Sequence, residues 1–424
     1  MNELLLRQLL DGDATALADA AVASLDSGIE PAAVALFEPR MQGPHGHFPL
    51  LADAYSRICT DHGLAMNVFH HQQWQSARPQ RWHGVFPVVD HLVGAAAPVD
   101  QKILAAFSEL LGNIVSTCVK RSEAQVAIFP TARFLTLPGI TSAIAGAPEL
   151  RGAVIGVMET TPVPDCEDEN LIRESFRSST QVLAESGKKV LLLAESAAIA
   201  DWLLAQAFES TEIRVAPYPA AARFDASKSP PSPDNRPRLG ALGATRPVHQ
   251  PESLAGYLLE ADISGVDWCV RLDSAHAAQP LGRAPEQLES TLRSRGVTLL
   301  SGHLAQSDYD ATLAGLDVML LPYGERYQTI GSGIFLECVC AGVIPLVPAG
   351  STMRALYEDL GGRAPAIDMD APDGIPRSVD ACLAQLPRLR ANADEVRSAW
   401  LAHEHGPAAW RHAVSELIGY ACVG

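Results

Sequence analysis

Short apolar runs and longer amphipathic segments take turns along most of this chain. In the first half, Ala32–Phe37, Ala65–His70, Gly84–Val89, Gln125–Phe129, Ala153–Met158, Lys189–Leu193 and Ile213–Ala216 read as buried strands. Between them, Pro49–Asp61, Asp100–Val119, Ile140–Ile144, Glu169–Glu185 and Ala197–Phe208 read as helices. The helix from Glu169 shows its ends plainly: Glu167, Asp168 and Glu169 crowd its positive terminus, and Gly187 lies just past the other. In the second half, strands are expected at Val266–Leu272, Val297–Gly302, Asp317–Leu321 and Val343–Val347, with helices at Glu286–Arg295, Asp308–Ala314, Ile334–Ala341 and Arg354–Leu360. This alternation predicts an α/β chain of parallel strands covered by helices on both faces, with ligands held at the carboxyl ends of the strands.

The stretch 218–238 breaks the alternation. Pro219, Pro230, Pro231, Pro233 and Pro237 mark it as a linker. It divides the chain into a first domain, 1–217, and a second, 239–405, followed by a terminal segment, 406–424. Residues 1–27 read as a helical extension of two short helices. Leu4, Leu5, Leu6, Leu9 and Leu10 there suit packing, contact with a second copy, or a peripheral membrane contact.

Composition narrows the function. A formal charge of -17 excludes the basic groove that nucleic-acid binding needs. The eight cysteines are scattered with no C-x-x-C pair, which points to free thiols and away from a zinc site. No uncharged apolar stretch of about 18 residues suggests a span. Nor does a basic, signal-like N-terminus precede the leucines, so a cytoplasmic protein is expected.

The richest chemistry lies between Leu320 and Met353. There a strand ends at Pro322 and Gly324, and Gly331-Ser332-Gly333 opens a helix with Ser332 as its N-cap. Gly342 closes that helix, and a strand containing Pro345 follows. A glycine turn at a helix N-terminus aims unpaired N–H groups at one point, which suits a phosphate. Glu337, one turn further, is placed to accept hydrogen bonds from sugar hydroxyls. At the other strand ends, His45, Gly46, His47, His70 and His71 are candidates in the first half, and in the second a strand beginning at Leu239 runs into a glycine loop that ends at Arg246.

Pro322, Ser332, Gly333, Glu337, Gly342, Pro345 and Val347 together resemble the donor-site segment of GT-B glycosyltransferases, particularly the family-4-like enzymes. The resemblance is specific over roughly 240–353 and architectural before that. It implies two Rossmann-like doubly wound domains facing across a cleft, the terminal segment returning to the first domain as a helix, Ala408–Tyr420. It implies Glu337 on the nucleotide ribose, Ser332-Gly333 amides on the diphosphate, and the loop at His303 on the nucleobase. Gly243 and Arg246 match the family's diphosphate clamp, and His249 stands where a Lys is usual, supplying less compensation when neutral. Gly46-His47 matches a Gly-His common in the family's first loop. A second family Glu, eight positions before the helix Glu, is here Thr329.

The function implied is transfer of a sugar from a nucleotide-diphosphate sugar to a glycan, lipid-linked or protein acceptor, as in polysaccharide biosynthesis, with retention and without metal or cofactor. Arg246 and Glu337 are the residues expected to act on the donor. Two alternatives stay open: a nucleotide-sugar epimerase on the same fold, and a non-catalytic protein that binds a nucleotide sugar or a partner.

Overall fold

The computed structural model describes residues 14–23, 25, 29–43, 47–74, 79–87, 99–159, 168–206, 211–217, 236–244, 249–302 and 304–422. The chain divides into two compact units, Met1–Pro217 with Ala409–Gly424, and Tyr218–Ala408. Most of the stretch read as a linker, 218–235, lies outside the described residues, as do Leu4–Leu10.

The first unit is built on seven strands: β1 (Val34–Glu38), β2 (Met66–His71), β3 (Trp82–Phe86), β4 (Val126–Ala132), β5 (Gly152–Val157), β6 (Lys189–Ala194) and β7 (Glu212–Val215). Their order is β3-β2-β1-β4-β5-β6-β7, and every pair is parallel. The order reverses between β1 and β4, so the loops leaving those two strands diverge and open a crevice. β1, β2, β4 and β5 are buried along their whole length. Phe37 stacks on Phe69 and on Phe129, each pair with ring centroids 5.1 Å apart, which ties the three central strands together on one face.

Gln101–Ser122 is the core helix of this unit. Asp100 caps its start by accepting the Ile103 N–H at 2.8 Å. Ile103, Phe107, Leu111, Ile114, Val115 and Cys118 are among its buried residues. By length and composition alone it is long and apolar enough to cross a membrane. Here it packs against the helices Ala14–Ala23 and Leu137–Gly146. A Cβ on Gly139 would stand 2.6 Å from the Ser108 carbonyl, so the second of these contacts needs glycine. The helix Ala14–Ala23 buries Ala14, Leu17, Ala18, Ala21 and Val22 in the same core. The helix Pro407–Cys422 also belongs to this unit over most of its length: Trp410 meets Tyr55 edge-on at 5.0 Å, and His62 Nε2 lies 2.6 Å from Ser415 Oγ.

The second unit has five parallel strands, β8 (Arg238–Ala244), β9 (Asp267–Leu272), β10 (Thr298–Leu299), β11 (Val318–Leu320) and β12 (Ile344–Leu346), in the order β10-β9-β8-β11-β12. The reversal falls between β8 and β11. Asp317 fixes that junction, accepting the Arg238 N–H at 2.9 Å and pairing with Arg390 at 2.8 Å. β10 is shorter than the apolar run Val297–Gly302 suggests. Leu300 still donates to Val270 at 2.8 Å, but Gly302 then turns the chain at φ 68°. A helix absent from the sequence reading, Pro251–Glu260, follows β8 with Pro251 in its first turn, where a missing N–H costs nothing.

Candidate functional site

The carboxyl ends of β8 and β11 carry the residues singled out in the second half. Beyond β11, Pro322 and Tyr323 lead into a short 3-10 turn, Glu325–Gln328, and then to the helix Gly333–Ala341. Ser332 caps that helix, accepting the Phe335 N–H at 3.3 Å. Gly342 ends it in the left-handed conformation, φ 68°. From Phe335 to Ala341 every residue of this apolar helix is buried. Glu337 is the exception in chemistry, a carboxylate only 6% exposed. The Tyr309 hydroxyl, on the helix Gln306–Ala314, donates to its Oε2 at 2.5 Å. Burial, then the Glu337 charge, hold that hydroxyl far above the usual phenol range.

Gly243, near the end of β8, faces the same place. A Cβ there would stand 2.4 Å from the Tyr323 hydroxyl and 2.9 Å from Ile334 Cδ1. The glycine therefore lets β8 approach the loop that enters the helix. Tyr323 is buried, and its hydroxyl is held far above its ordinary range by burial, against the opposing pull of a hydrogen bond with Ser332. His249 completes an aromatic cluster. Its ring stacks on Tyr323 at 4.5 Å, and Nε2 lies 2.9 Å from the Tyr327 hydroxyl, while Tyr323 and Tyr327 are 4.3 Å apart. With 7% exposure, His249 sits inside this stack at the side of the glycine loop. Thr329 ends the 3-10 turn and turns its hydroxyl to the Arg326 carbonyl, 3.4 Å away.

Arg246, His303, His45 and Gly46 lie outside the described residues, and His47 is described only as the first residue of the helix His47–Asp61. Among the described residues, Gly243, Ser332, Gly333 and Glu337 are brought to one edge of the sheet, with His249 beside them. A cavity of about 360 Å3 opens further along that edge, at the ends of β9 and β10, lined by Arg271, Asp273, Ser274, Glu289 and Arg293. Its polar groups engage one another, Ser274 donating to Glu289 at 2.5 Å. Among the described residues, no group of three or more His, Cys, Asp or Glu side chains is placed to hold a metal ion.

The first unit holds a second polar cluster at the carboxyl ends of its strands, beside the β1–β4 crevice. Glu38, 1% exposed at the end of β1, accepts from Thr131 Oγ1 at 2.5 Å and from the Arg40 N–H at 3.1 Å. Arg133 and Glu159, each 4% exposed, form an ion pair at 2.5 Å. Half-buried Glu195, just after β6, has its carboxyl pushed up to about 7 by burial, against the pull of Arg40. His70, fully buried at the end of β2, lies 2.8 Å through Nδ1 from the His71 carbonyl. Of these residues, only His70 and His71 stand out in the sequence; the charged ones sit at a strand end or in loops with no local motif. Their common position after successive strands was the available signal.

No family model matches the sequence, and no curated protein matches it by sequence. Solved structures do match. Sucrose-phosphate synthase from Thermosynechococcus elongatus is similar with a TM-score of 0.63 at 10% identity, over 91% of this chain and 97% of that one. Trehalose-6-phosphate synthase OtsA is similar with a TM-score of 0.61 at 11% identity, over 91% and 98%. The Anabaena protein HepE, solved in complex with UDP and glucose, is similar with a TM-score of 0.55 at 13% identity, over 92% and 99%. At such identities the likeness speaks for architecture. Two parallel α/β sheets, each with a strand-order reversal and together matched across nearly the whole chain, give this protein the GT-B glycosyltransferase fold.

Proposed function

We propose that this protein is a glycosyltransferase that takes a sugar from a nucleotide-diphosphate donor and passes it to a glycan, lipid-linked or protein acceptor, with retention. The observation that carries this reading is Glu337, a buried carboxylate one turn into a helix whose N-terminus is opened by Ser332-Gly333 at the strand-order reversal. That geometry suits a nucleoside diphosphate. The carboxylate accepts the ribose hydroxyls, and the helix N-terminus faces the diphosphate. Similar folds in proteins named as sucrose-phosphate and trehalose-6-phosphate synthases, and in one that holds UDP and glucose, support the same assignment.

Catalysis in this reading is a matter of position and charge. As the bond from sugar to diphosphate breaks, negative charge grows on the leaving group. The loop amides at Ser332-Gly333, the helix dipole and Arg246 stabilise it. The polar cluster around Glu38, Arg133 and Glu159 stands at the strand ends of the other unit, and we assign it, with His45, Gly46 and His47, to the acceptor.

Thr329 favours a second reading. It stands where the resembling enzymes often carry a Glu for the donor sugar, and its hydroxyl is turned to the Arg326 carbonyl. A protein that binds the nucleotide sugar without transferring it fits that feature.

Isothermal titration with UDP, ADP and GDP tests the site itself. Glu337→Gln keeps the shape but removes the charge, and is expected to weaken binding of the preferred nucleotide by about 1.5–3 kcal/mol. Equal affinity in the two proteins would remove Glu337 from the ribose.

A further inference from the structure

Tyr309 and Glu337 are 28 residues apart in the sequence and meet through a hydrogen bond of 2.5 Å. The phenol belongs to the helix Gln306–Ala314 and the carboxylate to the helix Gly333–Ala341, so the bond joins two rigid elements of one unit. The hydroxyl keeps its proton at any working pH. It is therefore the donor in this bond, and the Glu337 Oε2 atom accepts.

We propose that Tyr309 is a positioning residue, which holds the Glu337 carboxylate in the orientation that accepts the ribose hydroxyls of a nucleoside diphosphate. This rests on the donor-site reading above. A glutamate side chain has three rotatable bonds and loses rotamer freedom when it fixes a ligand. A partner that fixes it beforehand removes that cost from the binding step. An ionised carboxylate has about four lone-pair sites, more than a single phenol hydroxyl fills. A partner on a loop would move with the loop, whereas one on a helix holds its place.

Isothermal titration with UDP, ADP and GDP, and with their 2′,3′-dideoxy counterparts, separates positioning from general support of the fold. Wild type should prefer the ribose form of at least one nucleotide. Tyr309→Phe should lose about tenfold in affinity for that form and bind the dideoxy form as before, so the preference shrinks. A Tyr309→Phe protein that keeps the wild-type preference overturns the proposal. Equal weakening of both forms, with a lowered melting temperature, also overturns it, because the tyrosine then only supports the fold. A wild type that binds nucleotides without regard to the ribose hydroxyls overturns the donor-site reading itself.

Discussion

Buried charge is concentrated at the strand ends of both units, and single residues there set what each edge can do. Glu337 keeps its carboxylate at 6% exposure with a phenol donor on Oε2, and Glu38 keeps its own at 1% with a hydroxyl and an amide. Such groups are costly to bury without partners, and they gather where a polar ligand is to be met. Glu195 adds a dependence on pH. An ordinary glutamate releases its proton near 4.5, whereas this folded carboxyl holds it to about 7. Between those values the folded chain binds a proton that the unfolded chain has lost. The contribution to stability is full at low pH and is lost as pH rises through about 7. Glu195→Gln should therefore gain in melting temperature relative to wild type at pH 8 and not at pH 5; the same difference at both pH values would contradict it. At this scale the sequence shows what is local. Ser332, Glu337 and Gly342 are recognisable because cap, turn and terminator are neighbours in the chain. Tyr309, and the pairs Glu38–Thr131 and Arg133–Glu159, are joined only by folding, the first pair standing 93 positions apart in the chain and the second 26.

Among the elements, the helix Gly333–Ala341 depends on contacts made just before it begins. Ser332 caps it, Tyr323 shares a hydrogen bond with Ser332, and Gly243 leaves room for the Tyr323 hydroxyl. Ser332→Ala should cost about 1 kcal/mol of stability in urea unfolding. Gly243→Ala should cost more, since its Cβ would stand 2.4 Å from that hydroxyl and displace the whole cluster, His249 included. A Gly243→Ala protein as stable as wild type would contradict this packing. The sequence shows most elements because their hydrophobic period is clear. It misleads where a breaker residue has two uses. Pro251, a breaker inside a helix, opens the unforeseen helix Pro251–Glu260, and the apolar run at Val297 reads as six residues of strand, although Gly302 and the sheet edge leave only Thr298–Leu299 paired.

For the whole molecule, alternation of strand and helix predicted parallel α/β layers, the proline-rich stretch and the GT-B resemblance predicted two of them, and solved GT-B structures match that architecture over more than nine-tenths of the chain. The buried polar groups at the strand ends of the first unit were not legible, because their chemistry has no fixed spacing in the sequence. The central claim is that this fold transfers a sugar, and release of nucleoside diphosphate from a panel of nucleotide sugars tests it most directly. With wild-type protein, at least one member of the panel should be turned over, slowly to water and faster with a glycan acceptor present. Glu337→Gln should slow that release by about ten- to a hundredfold at low donor concentration. No release from any donor, despite tight nucleotide binding, would contradict the claim and leave a nucleotide-sugar-binding protein in its place.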